Sequence, residues 1–157
     1  MGVHCVRLSP TTNGGTMHLN RGRIWLGGLA GGVVWTIWSF LIGKYVITDA
    51  RYLAAQNAGF FLKVPRYPFF AGLWIALLFI LAIAVAHLYA WARQGLGPGP
   101  GTALRIGFVA GFFAGFPDNF AQATWFAGGR GLPFGWMIDM WFGAIFAALV
   151  AGSLYKD

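Results

Sequence analysis

Residues 69–92 of this chain read FFAGLWIALLFILAIAVAHLYAWA, and no charged or strongly polar side chain occurs between Phe70 and Ala86. A helix needs about 20 mainly apolar residues to cross about 30 Å of hydrocarbon. Three other stretches satisfy the same requirement, at residues 24–46, 106–126 and 134–155. The sequence therefore predicts an all-α, polytopic membrane protein whose four transmembrane helices form two antiparallel hairpins.

The composition supports this class of protein. Hydrophobic residues make up 58% of the 157 residues and charged residues make up 10%, whereas about a quarter of a soluble domain is charged. A soluble fold of this length cannot bury so much apolar surface, so lipid must solvate part of it. The net charge of +7 comes from Lys and Arg residues that are scattered without forming a basic run. We therefore expect contact with membrane lipids and no binding of nucleic acid.

The first 23 residues differ from the rest of the chain. They contain the run SPTTNGG at residues 9–15 and lack the apolar centre of a signal peptide, which predicts a flexible cytoplasmic tail. Met17 lies shortly before the first apolar stretch, so residues 1–16 are interpreted as an upstream extension of the reading frame. Residues 24–157 are then predicted to form a single four-helix transmembrane domain.

Neither cysteine nor histidine indicates a metal or haem site. Cys5 is the single cysteine, which excludes an intramolecular disulfide and a cysteine-ligated metal cluster within one chain. His87 lies beside Tyr89 and Trp91 near the end of its apolar stretch, a position typical of the aromatic belt at a membrane interface. The sequence therefore predicts no cofactor and no metal.

The distribution of basic residues predicts the orientation. Cytoplasmic loops carry an excess of Lys and Arg, and the first helix usually dominates the outcome. With both termini in the cytoplasm, one face carries Arg7, Arg21, Arg23, Arg93, Arg105 and Lys156, and the other carries Lys44, Arg51, Lys63, Arg66 and Arg130. The margin is narrow, but Arg21 and Arg23 directly adjoin the first helix. We expect both termini on the cytoplasmic side of a bacterial inner membrane.

The two longer connections have different compositions. Residues 44–68 exceed a tight turn, and Thr48 or Asp49 is suited to cap a short helix over residues 50–57 that Gly59 stops. We expect this short helix to lie at the membrane interface, between helices one and two. Residues 94–101 read QGLGPGPG, which predicts a simple linker.

Small residues recur every four positions in three of the predicted helices. This spacing places them on one helix face, where the missing side chains allow a second backbone to approach closely. The sequence predicts helix packing through Gly27, Gly31, Gly107, Gly111, Gly115 and Gly143. The pattern leaves open whether the neighbouring helix belongs to the same chain, to a homo-oligomer or to a larger membrane complex.

Two carboxylates, Asp118 and Asp139, lie inside predicted spans, and the chain contains no Glu. A charged group at the centre of a bilayer costs about 2.5–3.5 kcal/mol on insertion scales, so such residues normally face protein or a water-filled cavity. Their spacing from Gly115 and Gly143 puts both on glycine faces. We predict one polar cluster in the outer half of the membrane, formed by Asp118, Asn119, Gln122 and Asp139 with Arg130 or Lys44 as the compensating base.

Two interpretations of this cluster stay open. It is either a structural network between helices or a small site for a proton, a cation or the polar end of a lipid-like molecule. The leading hypothesis for the protein is a structural or accessory subunit without a catalytic site, which packs through its glycine-rich faces. The alternatives are a small transporter or a proton- or cation-binding protein that uses Asp118 and Asp139, and a membrane enzyme that acts on a lipid or a quinone.

Three short motifs in the last third of the chain carry a family resemblance. They are Gly107-Phe108-Val109, Gly129-Arg130 and Ile138-Asp139. They resemble a family of small, uncharacterised four-helix bacterial membrane proteins, classed as a domain of unknown function, in which a Gly-Phe-Val-rich helix leads through a Gly-Arg turn to a helix entered by Ile-Asp or Ile-Asn. The resemblance implies a four-helix membrane fold, and it implies no activity.

Overall fold

The computed structural model describes residues 19–155, and every regular element in this range is helical. Helix α1 spans Arg21–Ile42 and continues as a π-helical turn over Gly43–Ile47. Helices α2, α3, α4 and α5 span Asp49–Asn57, Phe70–Leu96, Pro100–Trp125 and Gly131–Leu154. The all-α prediction is confirmed for this range. Cys5, Arg7, Lys156 and the interpretation of residues 1–16 lie outside it.

Three of these helices are long and apolar enough to cross a membrane, namely α1 with its π-helical turn, α3 and α5. Helix α4 has 26 residues, but it is less apolar because its second half contains Pro117, Asp118, Asn119 and Gln122. By length and composition, residues 19–155 therefore contain three candidate membrane spans. Of the four predicted spans, α4 is the one that this criterion does not recover.

The four long helices form a rhombus in cross-section. Helix α5 packs against α1, α3 and α4, and α3 also contacts α1 and α4. Within the described range α1 and α4 do not touch each other, so α3 and α5 form the short diagonal of the bundle. The helices of each predicted hairpin, α1 with α3 and α4 with α5, are therefore neighbours.

The interface between α1 and α5 is an antiparallel ladder with one rung per helical turn. A Cβ on Gly27 would lie 3.0 Å from the Cα of Ala151, and a Cβ on Gly31 would lie 3.2 Å from the Cα of Ala147. The two backbones are therefore nearly in contact. The next two rungs are formed by Trp35 with Gly143 and by Ser39 with Asp139. The four-residue spacing on both helices fixes their register.

The doubled glycines of α1 serve two neighbours. Gly27 and Gly31 face α5, whereas a Cβ on Gly28 would lie 2.7 Å from the Cα of Ile83 on α3. Adjacent residues of a helix point about 100° apart, because an α-helix has about 3.6 residues per turn. Neighbouring glycines therefore give α1 two flat faces, and two helices approach its backbone at once.

Helix α4 approaches α5 through Gly107, Gly111 and Gly115. A Cβ on Gly107 would lie 2.6 Å from the Cα of Ile145, and a Cβ on Gly111 would lie 2.9 Å from the Cα of Trp141. The glycine faces that the sequence singled out are thus covered by helices of the same chain. For these faces, the neighbouring helix therefore belongs to the same chain.

The described chain begins and ends at the same end of the bundle, which we call the terminal end. The Asn20 backbone N–H donates to the Tyr155 hydroxyl over 3.1 Å. The turn between α3 and α4 lies there too, because Tyr89 packs against Tyr155 and its hydroxyl accepts from the Gly99 N–H. The opposite end, which we call the loop end, carries residues 43–69 and 126–130.

Helix α2 forms in the long connection, and Gly59, with a φ of 81°, follows it. The side-chain cap expected of Thr48 is absent. Instead, the Thr48 backbone N–H donates to the Gly43 carbonyl over 2.8 Å, and Thr48 adopts a φ of 56°, which is unusual for a β-branched residue. The π-helical turn and Thr48 together redirect the chain from α1 into α2, which lies against α5 at the loop end.

We expect Gly111→Ala to destabilise the bundle by about 1–3 kcal/mol, because relief of the new contact with the Trp141 backbone requires the helices to move apart. Gly72→Ala is the matched control, since nothing lies within 4 Å of a Cβ at that helical position. It should be neutral or stabilise by about 0.5–1 kcal/mol. Thermal melts in detergent measure both variants. Equal melting temperatures would show that α4 and α5 are not in close contact.

Candidate functional site

A cleft of about 400 Å³ at the loop end is lined by four of the described α-helices. Helix α4 directs its glycine face to α5 and shares a much smaller contact with α3, so space stays open between α3 and α4. We call this space the loop-end cleft. Its lining residues are Tyr52 from α2, Phe70 and Trp74 from α3, Ala114, Asp118, Asn119 and Gln122 from α4, and Trp136 and Met140 from α5.

One face of α4 supplies the charged and amide groups of the loop-end cleft. The Gln122 side-chain amide donates to the Asp118 carboxylate over 2.7 Å. The buried Asn119 amide donates to the Gly115 carbonyl over 2.7 Å. Asp118 itself is exposed, and no Lys or Arg between residues 19 and 155 forms an ion pair with it. The cleft therefore contains a carboxylate whose hydrogen-bond partner is a neutral amide.

Aromatic rings form the other side of the loop-end cleft. Phe70 and Trp74 stack at 6.0 Å between ring centroids, and Tyr52 and Trp136 lie 6.3 Å apart. Partial burial raises the pKa of the Tyr52 phenol, and the adjacent Trp136 indole offsets part of this shift. Tyr52 is therefore a neutral hydrogen-bond donor at physiological pH. The rings come from three helices and lie in the same cleft as Asp118.

Asp139 lies elsewhere, in the α1–α5 interface. Its side chain is only 2% exposed, and one carboxyl oxygen accepts a hydrogen bond from the Ser39 hydroxyl over 2.7 Å. The other carboxyl oxygen has no partner among the described atoms. The structure thus divides the predicted polar cluster into two parts, one in the loop-end cleft with Asp118 and one between α1 and α5 with Asp139.

The basic residues at the loop end do not compensate either carboxylate. Arg130 is exposed and precedes α5, and it forms no ion pair within the described part of the chain. Lys44 is exposed in the π-helical turn, with its ammonium group 5.4 Å from the centre of the Tyr45 ring. Arg51 donates to the Val46 carbonyl over 2.6 Å. The compensation expected from Arg130 or Lys44 is therefore not formed.

Sequence reasoning missed four residues of these two regions. Tyr52, Trp74 and Trp136 occur where interfacial aromatic anchors are expected, so nothing in their spacing distinguishes a cleft lining from an anchor. Ser39 could have been found, because a buried acid requires a donor and Ser39 is one of the few polar residues inside the first span. His87 agrees with its interpretation, since its ring packs beside Trp25 and Trp91. Within residues 19–155, no group of three or more potential metal ligands occurs.

We expect the two carboxylate positions to differ in their access to water. In a Cys5→Ser background, Asp118→Cys should react with a charged, water-soluble thiosulfonate reagent in detergent, because Asp118 is exposed in the cleft. Asp139→Cys should react at least about tenfold more slowly, because thiolate forms poorly in a buried contact. Labelling rates followed by mass spectrometry test this. Equal rates would contradict the separation of the two sites.

Comparison with known proteins gives no relative from which a role could be transferred. No known protein family matches this chain, and no curated protein or solved structure matches it. The resemblance of the last third to a four-helix family of unknown function therefore stays a prediction.

Proposed function

We propose that α4 is a fourth membrane span and that the protein is an integral membrane protein of four spanning helices. Helix α4 follows α5 from Gly107 to Gly115, and α5 has the length and composition of a span. Its 26 residues extend about 39 Å at about 1.5 Å per residue. Its outward side chains include the exposed Phe108, Val109 and Phe113, a surface that lipid solvates well.

The proposed orientation has the terminal end in the cytoplasm of a bacterial inner membrane. The start of α1 and the end of α5 are joined there by the hydrogen bond from Arg23 to the Leu154 carbonyl. Arg93 at the end of α3 donates to the Tyr155 carbonyl. The basic residues Arg21, Arg23 and Arg93 therefore gather at one end, as the positive-inside rule favours for a cytoplasmic face.

Reporter fusions test this orientation. A reporter that is active only outside the cytoplasm should be inactive when fused after Asp157, because the terminal end stays inside. The same reporter should be active when it is inserted between Asn57 and Phe61, because this segment belongs to the loop end. The reverse pattern of activity would contradict the proposed orientation.

The function that the loop-end cleft supports best is binding of the cationic polar end of an amphipathic, lipid-like molecule. One observation carries this proposal. The Asp118 carboxylate, which has no basic partner in the described chain, lines the same cleft as Tyr52, Trp74 and Trp136. A negative charge inside a membrane protein normally has a cationic or protonated counterpart, and residues 19–155 place no cation beside Asp118.

An organic ammonium group fits this site better than a metal ion. Calcium takes about six to eight oxygen ligands, and magnesium is usually held by one or two carboxylates together with phosphates, whereas the described residues place one carboxylate, Asp118, in the cleft. An ammonium group gains free energy from the faces of aromatic rings within about 6 Å and from a nearby carboxylate. The combination of Asp118 with Tyr52, Trp74 and Trp136 offers both interactions.

An apolar groove adjoins the loop-end cleft along α3 and α4. Its lining residues are Leu88, Ile106, Val109, Ala110, Phe113 and Ala114, and Ala114 also lines the cleft. The groove extends toward the terminal end, because Leu88 and Ile106 lie in the halves of α3 and α4 that meet there. A molecule with its polar end in the cleft and a hydrocarbon chain in the groove would match both surfaces.

A binding titration with a matched pair of probes tests this function. The probes are dodecyltrimethylammonium and dodecyldimethylamine oxide, an amphipathic analogue of similar shape that carries no net charge at about pH 8. We expect the wild-type protein in maltoside detergent to bind the cation at least about tenfold more tightly, because a charged interaction contributes about 1.5–3 kcal/mol. Tryptophan fluorescence follows binding, since Trp74 and Trp136 line the cleft.

Two variants complete this titration. Asp118→Asn should abolish the preference for the cation, because it removes the charge and keeps the shape of the side chain. Asp49→Asn is the matched control, since Asp49 is an exposed acid of α2 that does not line the cleft. Equal affinity of the wild-type protein for both probes, or an equal loss in the two variants, would overturn the proposed function.

The other functional hypotheses stay predictions. An accessory subunit would have to use another surface than the predicted glycine faces, because helices of the same chain cover them. Asp118 and Asp139 have different hydrogen-bond partners and lie in different parts of the bundle. A transporter that uses both carboxylates would therefore need a path between the loop-end cleft and the α1–α5 interface. For a lipid- or quinone-related enzyme, the cleft offers a binding surface and no nucleophile beyond its carboxylate and phenol.

A further inference from the structure

The Ser39–Asp139 rung has no part in the loop-end cleft. Asp139 is 2% exposed, so its carboxyl group has almost no access to water. The Ser39 hydroxyl donates to one carboxyl oxygen over 2.7 Å, and the other oxygen is buried without a hydrogen-bond partner. The neighbouring rungs consist of the Trp35 indole on Gly143 and of apolar side chains of the π-helical turn on Gly135, and the Trp35 indole nitrogen is buried without a hydrogen-bond partner among the described atoms. A chargeable group is therefore enclosed in a dry contact between two helices.

No charged side chain compensates Asp139 from any element that packs against α5. Between Ile24 and Ile42, α1 has no charged residue, and between Phe70 and Ala86, α3 has none. Five ionisable groups of the surrounding elements make other contacts. Lys44 lies over the Tyr45 ring, Arg51 donates to the Val46 carbonyl, Tyr52 lies beside Trp136, His87 contacts the Ile83 carbonyl, and Asp118 accepts from Gln122. Three further groups, Asp49, Arg105 and Arg130, are exposed. Arg93 lies at the terminal end, on the Tyr155 ring.

The physical cost of the two protonation states differs greatly. An ionised carboxylate at this rung would be a full buried charge with one hydroxyl group as its partner, and removal of such a charge from water is very unfavourable. A neutral carboxyl group needs only to leave one hydrogen bond unmade. We infer that Asp139 is a proton-binding site, which holds a proton while α1 and α5 are in contact and releases it to water when they separate.

The position of this site connects it with the loop end. Asp139 lies one helical turn from Gly135, on which Ile47 of the π-helical turn packs. Separation of α1 and α5 at this rung would move the π-helical turn, and with it α2, which supplies Tyr52 to the loop-end cleft. Release of the proton is then expected to weaken ligand binding in the cleft. This last effect rests on the proposed function. The proton-binding site itself does not depend on that function.

Infrared spectroscopy detects the proton directly. At about pH 5, where an aspartic acid side chain in water is ionised, we expect the purified wild-type protein to show the carbonyl band of a protonated carboxylic acid. The band should be lost in Asp139→Asn and retained in Asp118→Asn. In Ser39→Ala the band should persist at a higher frequency, because the hydrogen bond to the carboxyl group is removed. Ser39→Ala keeps the acid, so it identifies the band even where Asp139→Asn folds poorly. A wild-type spectrum without the band would overturn the proposal, as would a band that is lost in Asp118→Asn.

The dependence of stability on pH gives an independent measurement. The folded protein holds a proton that the unfolded chain releases, so the melting temperature in detergent should fall as the pH rises. Asp139→Asn mimics the neutral acid and should reduce this dependence, whereas Asp118→Asn should leave it unchanged. An unchanged dependence in Asp139→Asn would contradict the inference. Because Asp118→Asn removes the ammonium preference and not the pH dependence, failure of the proposed function is distinguishable from failure of the proton-binding site.

Discussion

The bundle depends on the close approach of other helices to α5. Lipid chains are as apolar as helix surfaces, so helices in a membrane gain little from the hydrophobic effect when they associate, and they rely on close packing and on hydrogen bonds between helices. The α5 face toward α1 consists mainly of small residues, with Gly143, Ala147 and Ala151 at successive turns. The glycines of α4 meet the other side of α5. Because α4 packs mainly against α5, it leaves α3 partly uncovered, and the loop-end cleft is the space that remains between α3 and α4.

Much of this architecture was predictable from the sequence because it follows from two simple periodicities. The length of an apolar stretch predicts a span, and a four-residue repeat of small residues predicts a contact face. The first rule identified α1, α3 and α5, and the second identified the glycine faces of α1, α4 and α5. Residues 106–126 were also predicted as a span, but length and composition in the structure do not recover α4, where Pro117 and Asp118 lower the apolarity of a helix that glycine contacts hold against α5. That α4 spans the membrane is therefore a proposal that rests on its packing and not on its composition.

The candidate site was less predictable, because spacing identifies a face of a helix and not the helix that covers it. Asp139 shares its face with Gly143, as predicted, but that face meets α1 and not α4. Asp118 follows Gly115 by three residues, an offset of about 60° around the helix axis, which is enough to move it from the contact into the cleft. One of the rings that accompany Asp118, Tyr52, depends on the direction of α2, which the π-helical turn and Thr48 determine. No sequence signal predicted that turn.

The hydrogen bond between Asn20 and Tyr155 joins the first and last parts of the described chain, which has a consequence for biosynthesis. The ribosome releases α1 well before α5, so Gly27 and Gly31 leave it before the helix that finally covers them is made. Gly28 and Gly32 face α3, which emerges earlier, so the first hairpin is able to associate during translation. The second hairpin is able to dock onto it only after α5 has been synthesised. Until that moment, the surroundings of the nascent protein have to cover a bare strip of backbone on α1.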